Sequence, residues 1–276
     1  MAANPLATEL AGGLGVKITW VSWALGAVVP GLVSLLLVPA AIYYLSPPSI
    51  KETPEAARMA KERLGGMGLM KKGEWLMLGT FCLLLGLWIF GKNFGIQSTA
   101  AALIGLSVLL LSGVLTWSDV CRETEAWNTL IWFAALVMMA RYLNEFGFVP
   151  WLSETIGASL SNYHWFPTFL GLSIVYFYSH YLFASNTAHV SSMYAPFLGI
   201  ALAVGAPPLV SALVLAYFSN LFSGTTHYGC GAAPIFFGAN FMTTARWWRT
   251  GGLISVLNIS IWLGVGGVWW RILGHW

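Results

Sequence analysis

The chain has 276 residues, of which 58% are hydrophobic and 8% are charged, and its formal net charge is +3. Soluble domains average about 25% charged residues, so this composition excludes an ordinary water-soluble protein and predicts a membrane protein. The scattered basic residues exclude a nucleic-acid-binding face. Cys82, Cys121 and Cys230 lie far apart, which excludes a disulfide framework or a zinc knuckle. The first residues lack the pattern of a secretory signal, and none is expected.

The first half of the chain alternates long apolar segments with one charged segment. Residues 18–45 are long enough to cross a bilayer, and Pro30 and Pro39 should kink the helix. Residues 46–74 carry six basic side chains, which predicts a charged loop on the cytoplasmic side, or the stromal side in a plastid. Shorter apolar spans follow at 75–91, 98–116 and 127–143.

Two further segments have interfacial signatures. Residues 148–160 place apolar side chains at helical spacing with Ser153 and Glu154 opposite, which predicts a short amphipathic helix lying flat at the membrane interface. Residues 250–273 form a last span with tryptophans near its end, a typical interfacial anchor.

Between Thr155 and Ala245 the chain has no Asp, Glu, Lys or Arg, yet a polar cluster interrupts it at YLFASNTAHVSSMY. Ser185, Asn186 and Thr187 can cap a helix whose N-terminus carries partial positive charge, so they could bind a carboxylate without a fixed cation. The alternative is a simple N-cap in a loop between two spans.

A second interruption breaks the apolar helices 207–222 and 234–241 at residues 223–233, SGTTHYGCGAA. A discontinuous helix near mid-membrane is typical of a transport site, because its ends offer opposite dipoles and free carbonyls. A water-exposed loop is the alternative. Two such interruptions in one charge-free stretch favour transport.

The apolar limbs 166–184 and 188–205 flank the first cluster and allow two topologies. They could be full spans joined by a solvated loop, or a re-entrant hairpin whose tip lies near mid-membrane. Both place Arg246 and Arg249 inside, as the positive-inside rule prefers, so charge counting leaves the choice open. Irregular backbone at mid-membrane is allowed only inside protein or beside a cavity.

Other chemistries are disfavoured by the residues present. A metal site would draw on histidines and a cysteine without any nearby carboxylate, namely His180, His189, His227 and Cys230. Ser185 and His189 lack an acid and a nucleophile elbow for hydrolysis. No Walker motif indicates ATP use. The sequence predicts a transporter rather than an enzyme, with no cofactor.

Several stretches resemble the divalent anion/sodium symporter family, closest to plastid 2-oxoglutarate/malate translocators and bacterial citrate or tartrate/succinate exchangers. They are MAANPLA, ITWVSWALGAVVPGLVSLLLVP, WNTLIWFAALVMMA, SNTAHVSSMYAPF, THYGCGAAPIFFGANF and WLGVGGVWW. The resemblance implies an all-α multi-pass membrane protein, the second inverted repeat of a two-repeat secondary transporter with a re-entrant helical hairpin and a discontinuous helix.

The resemblance also implies a division of the chain. The expected parts are the last helix of the first repeat (1–45), a charged loop (46–74), scaffold and connecting helices (75–147), an interfacial helix (148–162), a transport domain (163–241) and a final transmembrane helix (242–276). The 18–45 helix is expected to join the scaffold. A first repeat with its own Ser-Asn-Thr tip has no counterpart here, so a longer protein or a second chain would supply it.

By the same resemblance, Ser185, Asn186, Thr187, Thr225 and Thr226 bind substrate. His189 and His227, beside Gly229, either substitute for a coupling cation or are neutral and bonded to backbone.

The function implied is exchange of C4–C5 dicarboxylates such as malate and 2-oxoglutarate. Sodium-coupled symport of dicarboxylate, citrate or sulfate is one alternative, with Na⁺ as the only added ion. An inactive fragment or assembly subunit is the other. The expected partners are the substrate, the bilayer and, in full-length form, a second copy. The expected location is a plastid inner envelope or a bacterial inner membrane.

Overall fold

The computed structural model describes residues 3–48, 52–160 and 163–276. Residues 49–51 of the predicted charged loop and residues 161–162 of the predicted interfacial helix lie outside the described residues. All regular secondary structure in the described ranges is helical. The all-α prediction is therefore confirmed for that part of the chain.

The helices follow one another with short connections. They are α1 (Ala3–Gly13), α2 (Trp20–Leu45), α3 (Pro54–Met67), α4 (Lys72–Phe90), α5 (Ser98–Leu111), α6 (Trp117–Arg122), α7 (Thr124–Glu145), α8 (Phe148–Leu160), α9 (Trp165–Ser179), α10 (Asn186–His189), α11 (Ala195–Ala203), α12 (Pro208–Leu221), α13 (Ala233–Gly238), α14 (Thr244–Ser260) and α15 (Gly266–Ile272). Turns of π-helix at Val190–Tyr194 and Ile261–Val265 join α10 to α11 and α14 to α15.

Three helices in the described ranges are long and apolar enough to cross a membrane: α2, α4 and the continuous segment Thr244–Ile272. They match the apolar segments predicted at 18–45, 75–91 and 250–273. The last helix begins earlier than predicted, because Thr243 caps it by accepting a bond from the Arg246 amide at 3.3 Å. The span predicted at 98–116 is shorter, ending at Leu111 just before Gly113, whose φ is +71°.

The prediction of a loop throughout 46–74 is wrong, because this segment contains helix α3. Pro54 stands in its first turn, and Arg58 pairs with Glu55 at 2.7 Å and with Glu62 at 3.1 Å. Opposite charges three and four residues apart stabilise an exposed helix. The high charge content therefore belongs to a solvated helix that buries no residue.

Helix α8 forms as predicted at Phe148–Leu160, but its buried face differs from the expected apolar stripe. Val149, Ser153 and Gly157 are buried where α8 packs against α11. A Cβ on Gly199 of α11 would collide with the Ser153 side chain. Small residues let two helices approach closely, so the buried face includes the serine that was expected to point to water. Its placement at the membrane interface stays a prediction.

The chain divides into two compact units, residues 48–130 and the residues before 48 together with those after 130. In the first, α4 packs against α5. In the second, α12 is central: every residue from Val210 to Ser219 is buried. It packs against α1, α9 and α11. A helix that is apolar and buried all round is the core of its unit.

Helix α2 accepts hydrogen bonds from indole groups of the C-terminal helices. Trp269 Nε1 donates to the Leu25 carbonyl at 2.7 Å, and Trp270 Nε1 donates to the Gly26 carbonyl at 2.8 Å. A Cβ on Gly26 would lie 2.5 Å from the Tyr217 hydroxyl, so only glycine allows this approach. Because α2 belongs to the same compact unit as residues 163–241, the structure does not separate it from the predicted transport domain as a scaffold helix.

Candidate functional site

The polar cluster lies at the tip of a helical hairpin. Helix α9 ends at Ser179, a single 3₁₀ turn follows at His180–Leu182, and the backbone is extended at Phe183. Ser185 then caps the next helix, accepting a bond from the Ala188 amide at 3.4 Å. From Asn186 the helix runs without interruption through the π-helical turn to Ala203. The predicted cap is confirmed, and the unbonded amides of a long helix therefore face the tip.

The second interruption is also present. Helix α12 ends at Leu221, and a 3₁₀ turn covers Phe222–Gly224. Regular helix resumes only at Ala233. The predicted break at 223–233 is therefore confirmed, and it exposes backbone carbonyls that a continuous helix would have used internally.

A side-chain hydrogen bond joins the hairpin tip to the broken helix. Asn186 Nδ2 donates to Ser223 Oγ at 2.7 Å, and the Ser223 hydroxyl in turn donates to the Asn220 carbonyl at 2.7 Å. Asn186 is 7% exposed. The two polar interruptions, 37 residues apart in sequence, are thus in direct contact.

Two further bonds connect the same segments through backbone acceptors. His180 Nε2 lies 2.9 Å from the Gly229 carbonyl, and Tyr228 Oη donates to the Tyr181 carbonyl at 2.9 Å. Because a carbonyl can only accept, His180 must carry its proton on Nε2. Irregular backbone at the hairpin turn and in the broken helix thereby gains partners inside protein.

The predicted substrate residues differ in accessibility. Ser185 is exposed and Thr187 is half-buried. Thr225 and Thr226 are buried, at 2% and 0% exposure, and the Thr225 hydroxyl donates to the Phe222 carbonyl at 2.7 Å. Ser185 at the hairpin tip is therefore accessible, whereas the two threonines of the broken helix are enclosed. Their roles in substrate binding stay predictions.

His189 is enclosed by rings and has no charged neighbour on its own stretch of chain. It is 0% exposed, and its ring lies within 4.8 Å of Tyr176, Phe183 and Phe222. The Ser179 hydroxyl donates to the Tyr176 carbonyl, so it accepts from His189 Nε2 at 2.8 Å. A buried imidazolium without a counter-ion is costly, and this environment favours the neutral alternative.

His227 is bonded in a way that also favours its neutral form. Trp248 Nε1 donates to His227 Nδ1 at 3.1 Å. An indole N–H is only a donor, so Nδ1 must be an unprotonated acceptor. Cation substitution by either histidine stays a prediction, but both geometries match a neutral ring.

Three buried side-chain oxygens at the site have no hydrogen-bond partner among the described residues: Asn186 Oδ1, Asn220 Oδ1 and Thr226 Oγ1. Neutral amide and hydroxyl oxygens suit hard cations that accept oxygen ligands. In the described part of the chain, no group of three or more His, Cys, Asp or Glu could hold a metal ion.

The sequence did not single out Ser223 or Tyr228, although both lie in the segment SGTTHYGCGAA. Their partners are Asn186 and a backbone carbonyl. Only contacts across the fold identify them, because a serine or tyrosine in a glycine-rich segment carries no periodic signal. His180, considered above as a metal ligand, is bonded to the Gly229 carbonyl.

Comparison with known proteins identifies the family of this chain. The family model described as the sodium:sulfate symporter transmembrane region matches residues 1–276. The chain belongs to the sodium:sulfate symporter family. The resemblance to divalent anion/sodium symporters is thereby confirmed, and the chain is a membrane protein of a transporter family.

Three relatives define its position in the sodium:sulfate symporter family. It is 56% identical over 277 residues to YflS of Bacillus subtilis (strain 168), provisionally named a malate transporter, covering 100% of this chain and 58% of YflS. It is 50% identical to dicarboxylate transporter 1, chloroplastic, of Arabidopsis thaliana, covering 100% of this chain and 50% of that protein. It is 47% identical to dicarboxylate transporter 2, chloroplastic, of Spinacia oleracea, and the match covers 99% of this chain and 49% of that protein. The chain thus spans half to three-fifths of these relatives' length.

Proposed function

We propose that this chain forms one half of a secondary transporter that exchanges C4–C5 dicarboxylates such as malate and 2-oxoglutarate. The observation that supports this proposal is the contact between the hairpin tip and the broken helix. The Asn186–Ser223 bond makes this contact, and both residues lie in a stretch without charged side chains. The names of the relatives supply the substrate class, malate for one and dicarboxylate for two. Moving solute across a bilayer requires no bond-making chemistry, so the proposed protein is not an enzyme.

The hairpin is proposed to be re-entrant, with its tip inside the membrane. At 1.5 Å per residue, the 15 residues of α9 extend about 22 Å, which is less than the roughly 30 Å of a hydrocarbon core. The bonds from Asn186 to Ser223 and from His180 to the Gly229 carbonyl suit a tip that is in contact with protein.

A substrate carboxylate would bind at the exposed side of the tip. The N-terminal amides of the helix beginning at Asn186 carry partial positive charge, and the hydroxyls of Ser185 and Thr187 add donors. The Asn186–Ser223 bond would hold these donors in position. A matching tip from a first repeat would bind the second carboxylate, and the whole transporter would be a homodimer.

Sodium coupling is the second candidate, and a specific observation favours it. Asn186 Oδ1 and Thr226 Oγ1 are buried oxygens without partners, and the neutral geometry of both histidines leaves the site without a substitute cation. A Na⁺ ion bound there would balance part of the substrate's charge. Exchange that needs no sodium would contradict this candidate and leave dicarboxylate exchange intact.

The test is uptake of labelled malate into malate-loaded liposomes by the protein carrying both repeats. Asn186→Ala should reduce the initial rate at least about tenfold, because it removes the bond to Ser223 and disorders the tip donors. Ser191→Ala is the matched control, since the Ser191 hydroxyl bonds only the nearby Ala188 carbonyl at 2.9 Å. Equal rates for the two variants would refute the site. The same assay with sodium replaced by choline separates the two candidates.

A further inference from the structure

The N-terminus of α14 combines two arginines, two tryptophans and a pair of neighbouring cavities. Its sequence from Thr244 reads TARWWRT. Arg246 and Arg249 are three residues apart and therefore neighbours on one helix face. Both line a cavity of about 380 Å³, whose other wall includes Leu45 at the end of α2.

These arginines have no carboxylate partner. In the part of the chain that the structure describes, ion pairs form at Arg58 and Arg141 only. Arg246 and Arg249 are both exposed, and they are the first charged residues after Glu154. Unpaired guanidinium groups at the start of a membrane span are the groups that recognise phosphate oxygens.

A second, apolar cavity of about 240 Å³ adjoins the first and shares Thr250 with it. Its lining is mainly apolar and includes Ile42, Leu221 and Ile254. It is lined by α14 residues from Trp247 to Asn258, so a charged cavity continues into an apolar one. An amphiphile with an anionic head group and a hydrocarbon tail matches both parts.

Two polar groups of the apolar cavity have no partner. Trp247 Nε1 is a buried donor and Asn258 Oδ1 is a buried acceptor, and both residues line the cavity. Asn258 is 7% exposed. Burying a donor without a bond is unfavourable, so Trp247 Nε1 indicates an occupant with an acceptor oxygen, whereas an acyl chain offers no donor to Asn258 Oδ1. The ester carbonyls of a phospholipid lie just below its phosphate and could accept from an indole N–H.

We propose that this face of α14 binds an anionic phospholipid. Its phosphate lies between Arg246 and Arg249, an ester carbonyl accepts from Trp247 Nε1, and one acyl chain occupies the apolar cavity against α2. Basic pockets between membrane helices are established binding places for anionic head groups. Neither arginine belongs to the hairpin tip or the broken helix, whereas the apolar cavity is also lined by Gly224 and Thr225 of the broken helix.

The experiment is native mass spectrometry of the 276-residue chain in detergent with added phosphatidylglycerol or phosphatidylcholine. The unmodified chain should retain phosphatidylglycerol preferentially. Near a membrane surface each basic residue strengthens binding of an anionic lipid by about fivefold, so Arg246→Gln with Arg249→Gln should weaken retention roughly 30-fold. Arg246→Lys with Arg249→Lys keeps the charge and should retain most of the preference, which separates binding from misfolding.

The control pair Arg58→Gln with Arg63→Gln makes the same change in net charge on the exposed helix α3 and should leave retention unchanged. Equal loss in this control, or equal retention of phosphatidylglycerol and phosphatidylcholine, would overturn the proposal. Glycerol 3-phosphate, which has the phosphate but no acyl chain, should not compete at the same concentration. Competition by it would show a site for free anions instead of a lipid.

Discussion

Replacing Gly229 with alanine should destabilise the junction between the hairpin and the broken helix. The added Cβ would lie 2.9 Å from the Ser223 carbonyl oxygen, 2.9 Å from Thr226 Oγ1 and 3.0 Å from His180 Nε2. An ordinary contact needs at least 3.4 Å, so the segment must move by about 0.5 Å. The same movement lengthens the 2.9 Å bond from His180 to the Gly229 carbonyl.

The magnitude follows from the two effects together. Overpacking costs about 1–3 kcal/mol, and loss of the His180 bond adds about 0.5–1.5 kcal/mol. A loss of 1 kcal/mol lowers the Tm of a domain of this size by about 2–4 °C, so the apparent Tm should fall by about 3–18 °C. Tryptophan fluorescence during heating in detergent, at one fixed scan rate, measures this change.

Gly231→Ala is the matched control, because a Cβ there would meet nothing within 4 Å. Both variants remove one glycine from the same irregular segment, so the backbone-entropy effect of alanine is nearly the same in each. If Gly229→Ala unfolds at the same temperature as Gly231→Ala, the close packing of His180 and Ser223 around residue 229 is refuted.

Two other substitutions test contacts in the same unit. Ser223→Ala should lower the free energy of unfolding by about 1–3 kcal/mol, because it leaves the Asn186 amide buried without an acceptor. The same substitution should cost clearly less in an Asn186→Ala background. Additive Tm shifts in this double-mutant cycle would contradict the bond. Gly199→Ala should lower the free energy of unfolding by about 1–3 kcal/mol, because its Cβ would collide with Ser153. Gly171→Ala is the control, because a Cβ there would meet nothing within 4 Å. Equal Tm values for the two variants would contradict the packing of α8 on α11.

The sequence predicted the position of each polar interruption well, because both are defined by local chemistry. Ser185 caps a helix as the residue type predicts, and the glycines after Leu221 end regular helix. The start of α8 at Phe148 was predicted to the residue. In each case the structure depends on residues that are close together in the sequence, so composition and spacing are sufficient to predict it.

Contacts between distant segments could not be predicted in the same way. Nothing in the order of residues states that Asn186 meets Ser223, or that His180 meets the Gly229 carbonyl. The buried face of α8 was misassigned because close helix packing selects small side chains, whereas periodicity weighs only apolarity. Helix α3 was missed because high charge was interpreted as irregular structure.

Two of the three bonds between the hairpin and the broken helix end on backbone carbonyls, those of Tyr181 and Gly229. A carbonyl acceptor belongs to the backbone, so the bond itself requires a particular residue type only on the donor side. Donor and acceptor positions at this junction should therefore differ in the range of substitutions that they tolerate. In a mutational scan, position 181 should therefore accept more residue types than Tyr228, whereas Gly229 stays restricted by the space around its Cβ and not by its carbonyl.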